Sequence, residues 1–272
     1  MHSRLLLLHR QVTHMQQRIR YHVIDWIRGL ALINMIAYHT LWDIAQLFPT
    51  PVGYNYTQFM LEPSVHVWQQ SIGFTFLFVS GFCFCFGSKP LIRGTQLVLW
   101  GTLISIVTFI VLPNDPVRFG VLTVLGFGTL LLALIHAWSR MLPRIVSMCA
   151  AVLSLLIFTF MHDAQTGVVW GVQLPQWLYH DSFTAVLGFP PSGFISSDYY
   201  PIIPFFFVML AGYFVYRSVE GTRAMAILTV HSRDFLSQFL EWIGRHSLII
   251  YLLHQVIIFA IVRIIVFAIY GL

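Results

Sequence analysis

The sequence predicts an all-α polytopic membrane protein, a single bundle of about seven transmembrane helices, and composition and pattern both support this. Hydrophobic residues make up 58% of the 272-residue chain and charged residues only 9%, whereas soluble domains carry about 25% charged residues. The mean hydropathy is +0.78. Apolar stretches long enough to cross a bilayer, which takes about 20 residues, recur along the chain.

Seven segments have the length and apolar character of membrane spans. The predicted spans are 23–42, 66–87, 95–112, 119–138, 145–161, 201–216 and 247–270. Together they form a transmembrane unit over 23–271. The basic segment 1–22 lacks the long apolar core of a signal peptide, so we expect a cytoplasmic interfacial helix there.

Basic residues occur in alternate loops, and this predicts the topology. Arginines or lysine precede the first span and lie between spans two and three, four and five, and six and seven, whereas the alternate loops contain only Arg118. Loops rich in Lys and Arg stay in the cytoplasm. We therefore expect the N-terminus inside and the C-terminus outside, which an odd number of spans requires.

The loop 162–200 is predicted to lie outside and is unusually long. Its Trp, Tyr, Pro and Gly residues argue against disorder, and a short re-entrant or amphipathic piece is considered near Thr184–Phe189. The cysteines have no metal-ligand spacing with histidine, and no metal site is expected. The scattered arginines resemble topology signals, so no nucleic-acid partner is expected either.

Ionisable residues inside the first span are the main functional signal. Arg28 and His39 are eleven residues apart, which gives about 16 Å of rise and about three full turns, so both lie on one helical face. This pattern suits a molecule anchored by phosphate at Arg28 whose reactive end reaches His39. The alternative is a snorkelling arginine and an interfacial histidine.

Two carboxylates accompany this pair. Asp25 precedes Arg28 by three residues and can orient it as an ion pair. Asp43 follows His39 by four residues and shares its face, so it can fix the tautomer of the imidazole and raise its basicity. The alternative for Asp43 is that it only marks the outer end of the helix.

The last span and the end of the outer loop provide further candidates. Arg245 and His246 stand where the last span begins and can meet a phosphate or act only as topology charges. His254 lies about 13 Å further along the helix, at a depth close to that of His39, which predicts a shared polar chamber. Asp198 and Tyr199 precede the sixth span, where Asp198 can either receive a hydroxyl or amine of an acceptor or cap the helix.

Four segments in order along the chain resemble a known family. They are IDWIRGLALINMIAYH, FTFLFVSG, GFISSDYYPIIPFFFVMLAGYF and IGRHSLIIYLLHQ. They resemble bacterial relatives of the heparan-α-glucosaminide N-acetyltransferase catalytic domain, within the wider transmembrane acyltransferase superfamily. The O-acyltransferases of that superfamily carry the same Arg-to-His spacing in their first span and a similar Gly-Arg-x-Ser to His element in their last.

The resemblance implies an enzyme that uses acetyl-CoA, or another acyl-CoA, from the cytoplasm and an extracytoplasmic sugar or envelope glycan as acceptor. It implies His39 as general base or acyl carrier supported by Asp43, and donor phosphates held by Arg28 with Arg245 and His246. Asp198, Tyr199 and His254 would then line the acceptor side. One departure is that the lysosomal transferases place their working histidine in the first outer loop, whereas residues 40–65 contain no histidine.

The leading hypothesis is therefore an acyl-CoA-dependent acyltransferase in a bacterial inner membrane. A non-enzymatic transporter or permease using the same intramembrane charges is the alternative, and inverted repeats would support it. A third hypothesis is a structural or sensory subunit without chemistry. The sequence does not identify the acceptor or the acyl chain, and it leaves homo-oligomer formation open.

Overall fold

The computed structural model describes residues 20–271, which form a helical bundle with a single two-stranded hairpin among them. Most of the predicted interfacial segment 1–22 lies outside the described residues. The elements in chain order are α1 (His22–Leu47), α2 (Val52–Met60), α3 (Pro63–Phe82), α4 (Pro90–Val111), α5 (Val121–Ser139), α6 (Arg144–Met161), β1 (Val168–Val169), β2 (Val172–Gln173), α7 (Ser182–Leu187), α8 (Ile202–Val219), α9 (Ala224–Ile227), α10 (Phe235–Arg245) and α11 (Ser247–Tyr270).

Each predicted span corresponds to one long helix, namely α1, α3, α4, α5, α6, α8 and α11. Five of these, α4, α5, α6 with the turn after it, α8 and α11, are long and apolar enough to cross a membrane. The chain is thus an all-α integral membrane protein. Polar residues lower the hydropathy of α1 and α3, so the count of seven spans and the positions of the termini remain predictions.

The main core surrounds α8, which packs against α3, α5 and α6. Leu77, Val124, Met209 and Tyr213 are completely buried there. The helix backbones of α3 and α8 approach closely because glycines face the crossing. A Cβ on Gly81 would overlap the carbonyl oxygen of Met209, and small residues commonly allow such contacts between membrane helices.

A second group of contacts surrounds α1, which packs against α2, α3, α10 and α11. Leu32, Met35 and Tyr38 are buried on this face. Asn34 interrupts the apolar run of α1, and its side-chain oxygen accepts a 3.0 Å hydrogen bond from Nε1 of Trp68 on α3. The polar residue is therefore satisfied inside the bundle, as a membrane environment requires.

Helix α11 runs parallel to α1 and packs mainly against it. The ring of His254 lies beside that of His39 near the middle, and Tyr270 meets Phe48 at the far ends. Much of the remaining surface of α11 is exposed and apolar. A groove of about 500 Å³ between the two helices has an almost entirely apolar lining, as expected of a surface in contact with lipid chains.

The long segment 162–200 is ordered by local hydrogen bonds. It contains the β1–β2 hairpin, in which Val169 pairs with Val172, and the short helix α7. Asp181 caps α7 by accepting hydrogen bonds from the backbone of Phe183 and Thr184. This helix covers most of the stretch around Thr184–Phe189 for which the sequence indicated a re-entrant or amphipathic piece.

The amphipathic helix α10 has no counterpart among the predicted elements. Its inner face includes Glu241 and Gly244, which are buried, and a Cβ on Gly244 would overlap the backbone of Asp25 in α1. Its outer face exposes four large apolar residues, Phe235, Leu236, Phe239 and Trp242. The close contact places α10 across the start of α1.

Candidate active site

A cavity of about 670 Å³ opens beside the second half of α1. It lies between α1, α3 and the middle of α11, and the segments 108–121 and 196–200 close its other side. Its polar lining consists of His39, Asp43, Gln46, Gln69, Thr108, Asp115, Ser196, Ser197, Asp198 and Gln255. This concentration of polar groups in an apolar bundle is typical of a site that binds a polar molecule.

Aromatic side chains form the remaining walls of the cavity. They are Tyr38, Trp42, Phe76, Tyr200, Tyr251 and Phe259. Tyr38 and Trp42 come from α1 on the same face as His39 and Asp43. Planar apolar surfaces next to hydrogen-bonding groups suit a ligand with both C–H faces and hydroxyl or amino groups, such as a sugar.

His39 lines this cavity, and its ring packs edge-on against Tyr38, with 5.5 Å between the ring centroids. Within residues 20–271 its nitrogens make no hydrogen bond to protein. Both nitrogens are therefore available to a ligand, and the imidazole can accept or donate a proton there.

His254 lies next to His39, with 4.9 Å between the ring centroids, and this confirms that the two histidines lie at the same depth. The Nδ1 atom of His254 is 2.6 Å from the carbonyl oxygen of Tyr251. Since a carbonyl only accepts, Nδ1 carries the proton, and Nε2 of the neutral ring is a base. His254 lines the apolar groove rather than the polar cavity. The two histidines therefore do not share one chamber: their rings lie against each other, but each ring faces a different space.

Asp43 contacts a different partner from the one the sequence indicated. Its Oδ1 accepts a 2.9 Å hydrogen bond from Nε2 of Gln255 on α11, and in the described part of the chain it makes no hydrogen bond or ion pair with His39. The residue is only 3% exposed. Asp43 therefore joins α1 to α11 directly.

Asp198 faces the cavity and also accepts a 3.2 Å hydrogen bond from the backbone N–H of Val121. Asp198 thus stabilises the start of α5. It does not cap the start of the sixth predicted span, which was the alternative that the sequence offered. Burial raises the pKa of Asp198 to about 6, although the hydrogen bond from Val121 opposes this shift. Such a carboxyl group exchanges a proton near neutral pH.

Tyr199 does not reach the cavity. Its hydroxyl donates a 2.6 Å hydrogen bond to the carbonyl oxygen of Ala185 in α7, and burial raises its pKa. The neighbouring Tyr200 lines the cavity instead. The sequence gives no signal for this choice, because the two tyrosines are adjacent in a loop whose conformation depends on distant contacts.

The three residues predicted to hold donor phosphates lie in the first two turns of α1 and at the junction of α10 and α11, and none of them lines the cavity. Arg28 is 3.7 Å from Asp25 and partly exposed. Arg245 forms a 2.6 Å ion pair with Glu241, and His246 contacts the carbonyl oxygen of Trp242. Each arginine has more donors than these contacts use, so both can bind an anion.

Glu241 is the central acid of this region and is 2% exposed. Burial favours its neutral form, but hydrogen bonds and charge from His22 and Arg245 outweigh that effect and hold the pKa of Glu241 below its usual value. Arg20 also approaches the same carboxylate at 3.4 Å. A cluster of cationic groups around one buried carboxylate therefore stands at this end of the bundle.

The fold and the cavity define an all-α integral membrane protein with a polar chamber, lined by His39, inside its bundle. The model of the heparan-alpha-glucosaminide N-acetyltransferase catalytic family matches residues 20–256. The match covers most of the chain, which therefore belongs to this family of acetyltransferase-type membrane enzymes. Comparisons with curated proteins and with solved structures give no significant match.

Proposed function

We propose that this protein transfers an acyl group, in the simplest case acetyl, from cytoplasmic acyl-CoA to an extracytoplasmic sugar or envelope glycan. The observation that carries the proposal is the position of His39: its ring faces a polar and aromatic cavity, and it makes no hydrogen bond within residues 20–271. His39 belongs to the same helix as Arg28. Membership of the acetyltransferase family supports the type of reaction. Transport without chemistry is the alternative outcome.

The donor would bind where Arg28, Arg245 and His246 lie. The basic residues of the predicted cytoplasmic loops support a cytoplasmic location for this end, in a bacterial inner membrane. Guanidinium groups suit the phosphates of a CoA ester. The rise of about 16 Å from Arg28 to His39 is a span that an extended pantetheine arm can bridge.

The acceptor would occupy the cavity of about 670 Å³. The rings of Trp42, Tyr200 and Tyr251 offer surfaces for the apolar faces of a sugar. Asp198 and the two serines before it offer hydrogen bonds to hydroxyl or amino groups. In this arrangement Tyr200 takes the position that the resemblance assigned to Tyr199.

In the proposed reaction His39 accepts a proton from the hydroxyl or amino group of the acceptor as that group attacks the thioester carbonyl. The new C–O or C–N bond forms, the C–S bond breaks, and the thiolate of CoA takes the proton from the imidazolium. If His39 carries the acyl group, it attacks the thioester first and the acceptor then displaces it. Both routes need a neutral His39 at the start.

Binding and turnover can be separated experimentally. We expect purified protein in lipid nanodiscs to bind radiolabelled acetyl-CoA and to hydrolyse or transfer its acetyl group. His39→Ala should reduce turnover by about 10²–10⁴-fold while binding persists, because general-base catalysis contributes rate enhancements of that size. Arg28→Ala should weaken donor binding itself.

His180→Ala is the matched control, since His180 is 82% exposed on the segment 162–200 and should leave both quantities unchanged. Unchanged turnover in His39→Ala would contradict the mechanism. Binding without any turnover in the wild-type protein would favour a permease.

A further inference from the structure

A second cluster of chemically active side chains lies outside the proposed active site. His22 at the first turn of α1, His231 in the connection before α10 and Glu241 within α10 come together at the same end of the bundle. Their ligand atoms all lie within 4.8 Å of one another, and they are the one such group of three that residues 20–271 contain. Three separate parts of the chain therefore converge on one point.

The distances within this cluster match those of a metal site. Nδ1 of His22 is 3.1 Å from Oε1 of Glu241, and Nδ1 of His231 is 3.5 Å from Oε2. Zinc binds nitrogen and oxygen ligands at about 2.0–2.2 Å with tetrahedral angles, which places neighbouring ligand atoms about 3.3–3.5 Å apart. The two imidazoles approach different oxygens of the carboxylate, so binding of one ion requires one of these side chains to turn.

Two further observations favour a ligand. The Nδ1 atom of His22 is buried and lies 3.1 Å from Oε1 of Glu241 without meeting hydrogen-bond geometry, and an ill-satisfied buried polar atom is costly. The two imidazole rings also lie side by side, with 4.5 Å between their centroids.

The arginines near Glu241 oppose a cation, but their arrangement leaves room for one. Arg20 and Arg245 both approach Oε1, whereas His231 approaches Oε2. Arg20 is also held by Asp25 at 2.9 Å, which offsets part of its charge. His22 lies beside Oε1 as well. Glu241 can bind a metal through Oε2 once Nδ1 of His22 turns toward that oxygen, while Oε1 keeps its guanidinium partner, as hydrogen-bonded ligand carboxylates commonly do.

We propose that His22, His231 and Glu241 form a binding site for a divalent transition metal, with zinc as the preferred ion. Two imidazoles and one carboxylate are a known zinc ligand set that leaves a fourth position for water. The ion would join the start of α1 to α10 and to the connection before it. This role is independent of acyl transfer.

The test uses the full chain with an affinity tag free of histidine, stripped of metal by a chelator and titrated with Co²⁺. We expect one Co²⁺ per chain with a visible d–d absorption band, which Zn²⁺ abolishes by competition. His22→Ala and His231→Ala should each weaken binding by about 100-fold or more, since even the partners of metal ligands contribute up to about that factor.

Two controls separate this site from other histidines. His180→Ala, and a variant with His2, His9 and His14 all replaced by alanine, should bind Co²⁺ like the wild type. The proposal would be overturned if the variant without His2, His9 and His14 lost Co²⁺ binding while His22→Ala and His231→Ala both kept it. So would the absence of stoichiometric binding at micromolar Co²⁺.

A thermal measurement addresses variants that fold poorly. Zn²⁺ should raise the melting temperature of the wild-type protein, because an ion that binds only the folded state stabilises it. Glu241→Gln keeps the shape of the side chain and should lose this increase while eluting as a single species by size exclusion. An equal increase in that variant would overturn the proposal.

Discussion

The hydrogen bond between Asp43 and Gln255 predicts a measurable loss of stability when one partner is removed. The two side chains are 2.9 Å apart and join α1 to α11, and the other oxygen of Asp43 is buried without a hydrogen-bond partner among the described residues. Replacing Gln255 by leucine would leave both oxygens unsatisfied.

The expected cost follows from the type of bond. A hydrogen bond to a charged group contributes about 1.5–3 kcal/mol, whereas interhelical hydrogen bonds in a membrane average about 0.6 kcal/mol with a maximum near 1.7. Since Asp43 is 3% exposed and α11 has few other helical partners, we expect Gln255→Leu to lower the free energy of unfolding by about 1–3 kcal/mol.

The assay is unfolding in mixed micelles titrated with SDS and followed by tryptophan fluorescence. Gln255→Leu, Asp43→Leu and the double variant form a thermodynamic cycle, with Gln46→Leu as the control because Gln46 is exposed one turn beyond Asp43. We expect a coupling energy near 1 kcal/mol or above. Single losses that add within about 0.3–0.5 kcal/mol would refute the reasoning, since independent sites behave that way.

Two further predictions concern the cavity wall and the core. Because burial raises the pKa of Asp198 from 3.8 to about 6, the folded state binds the proton more tightly, so stability should fall as pH rises from about 4 to 6. In Asp198→Asn the melting temperature should no longer fall over this pH range, whereas the exposed control Asp163→Asn should keep the decrease. An unchanged decrease in Asp198→Asn would contradict the raised pKa of Asp198. Gly81→Ala should cost about 1–3 kcal/mol by overpacking against Met209, and Ser80→Ala should change little; equal losses would show that the crossing is not tight.

The long helices were predictable because each depends only on a local apolar run. The span predicted at 247–270 coincides with α11, and the span at 145–161 begins one residue after α6 does. Prolines also marked the start of α8. The first helix extends to Leu47, beyond the predicted 42, because residues near its end are buried against α2.

Contacts between distant residues limited the prediction of the site. The depth of His254 was predictable from helical rise, but its position on the groove side depends on how α11 packs. Asp198 binds the backbone of Val121, 77 residues earlier, and no local pattern indicates that. Helix α10 was missed because its hydrophobic residues lie on one face only and its length is too short for a span.

The continuity of α1 has a mechanical consequence. Arg28 and His39 belong to one helix of 26 residues with regular hydrogen bonding, so the segment behaves as a stiff rod. A tilt or rotation at one end is transmitted to the other, and neither residue can be repositioned alone. A ligand that shifts the backbone at Arg28 would therefore also shift the backbone at His39. The position of both residues would depend on the contacts that hold the first turns of α1.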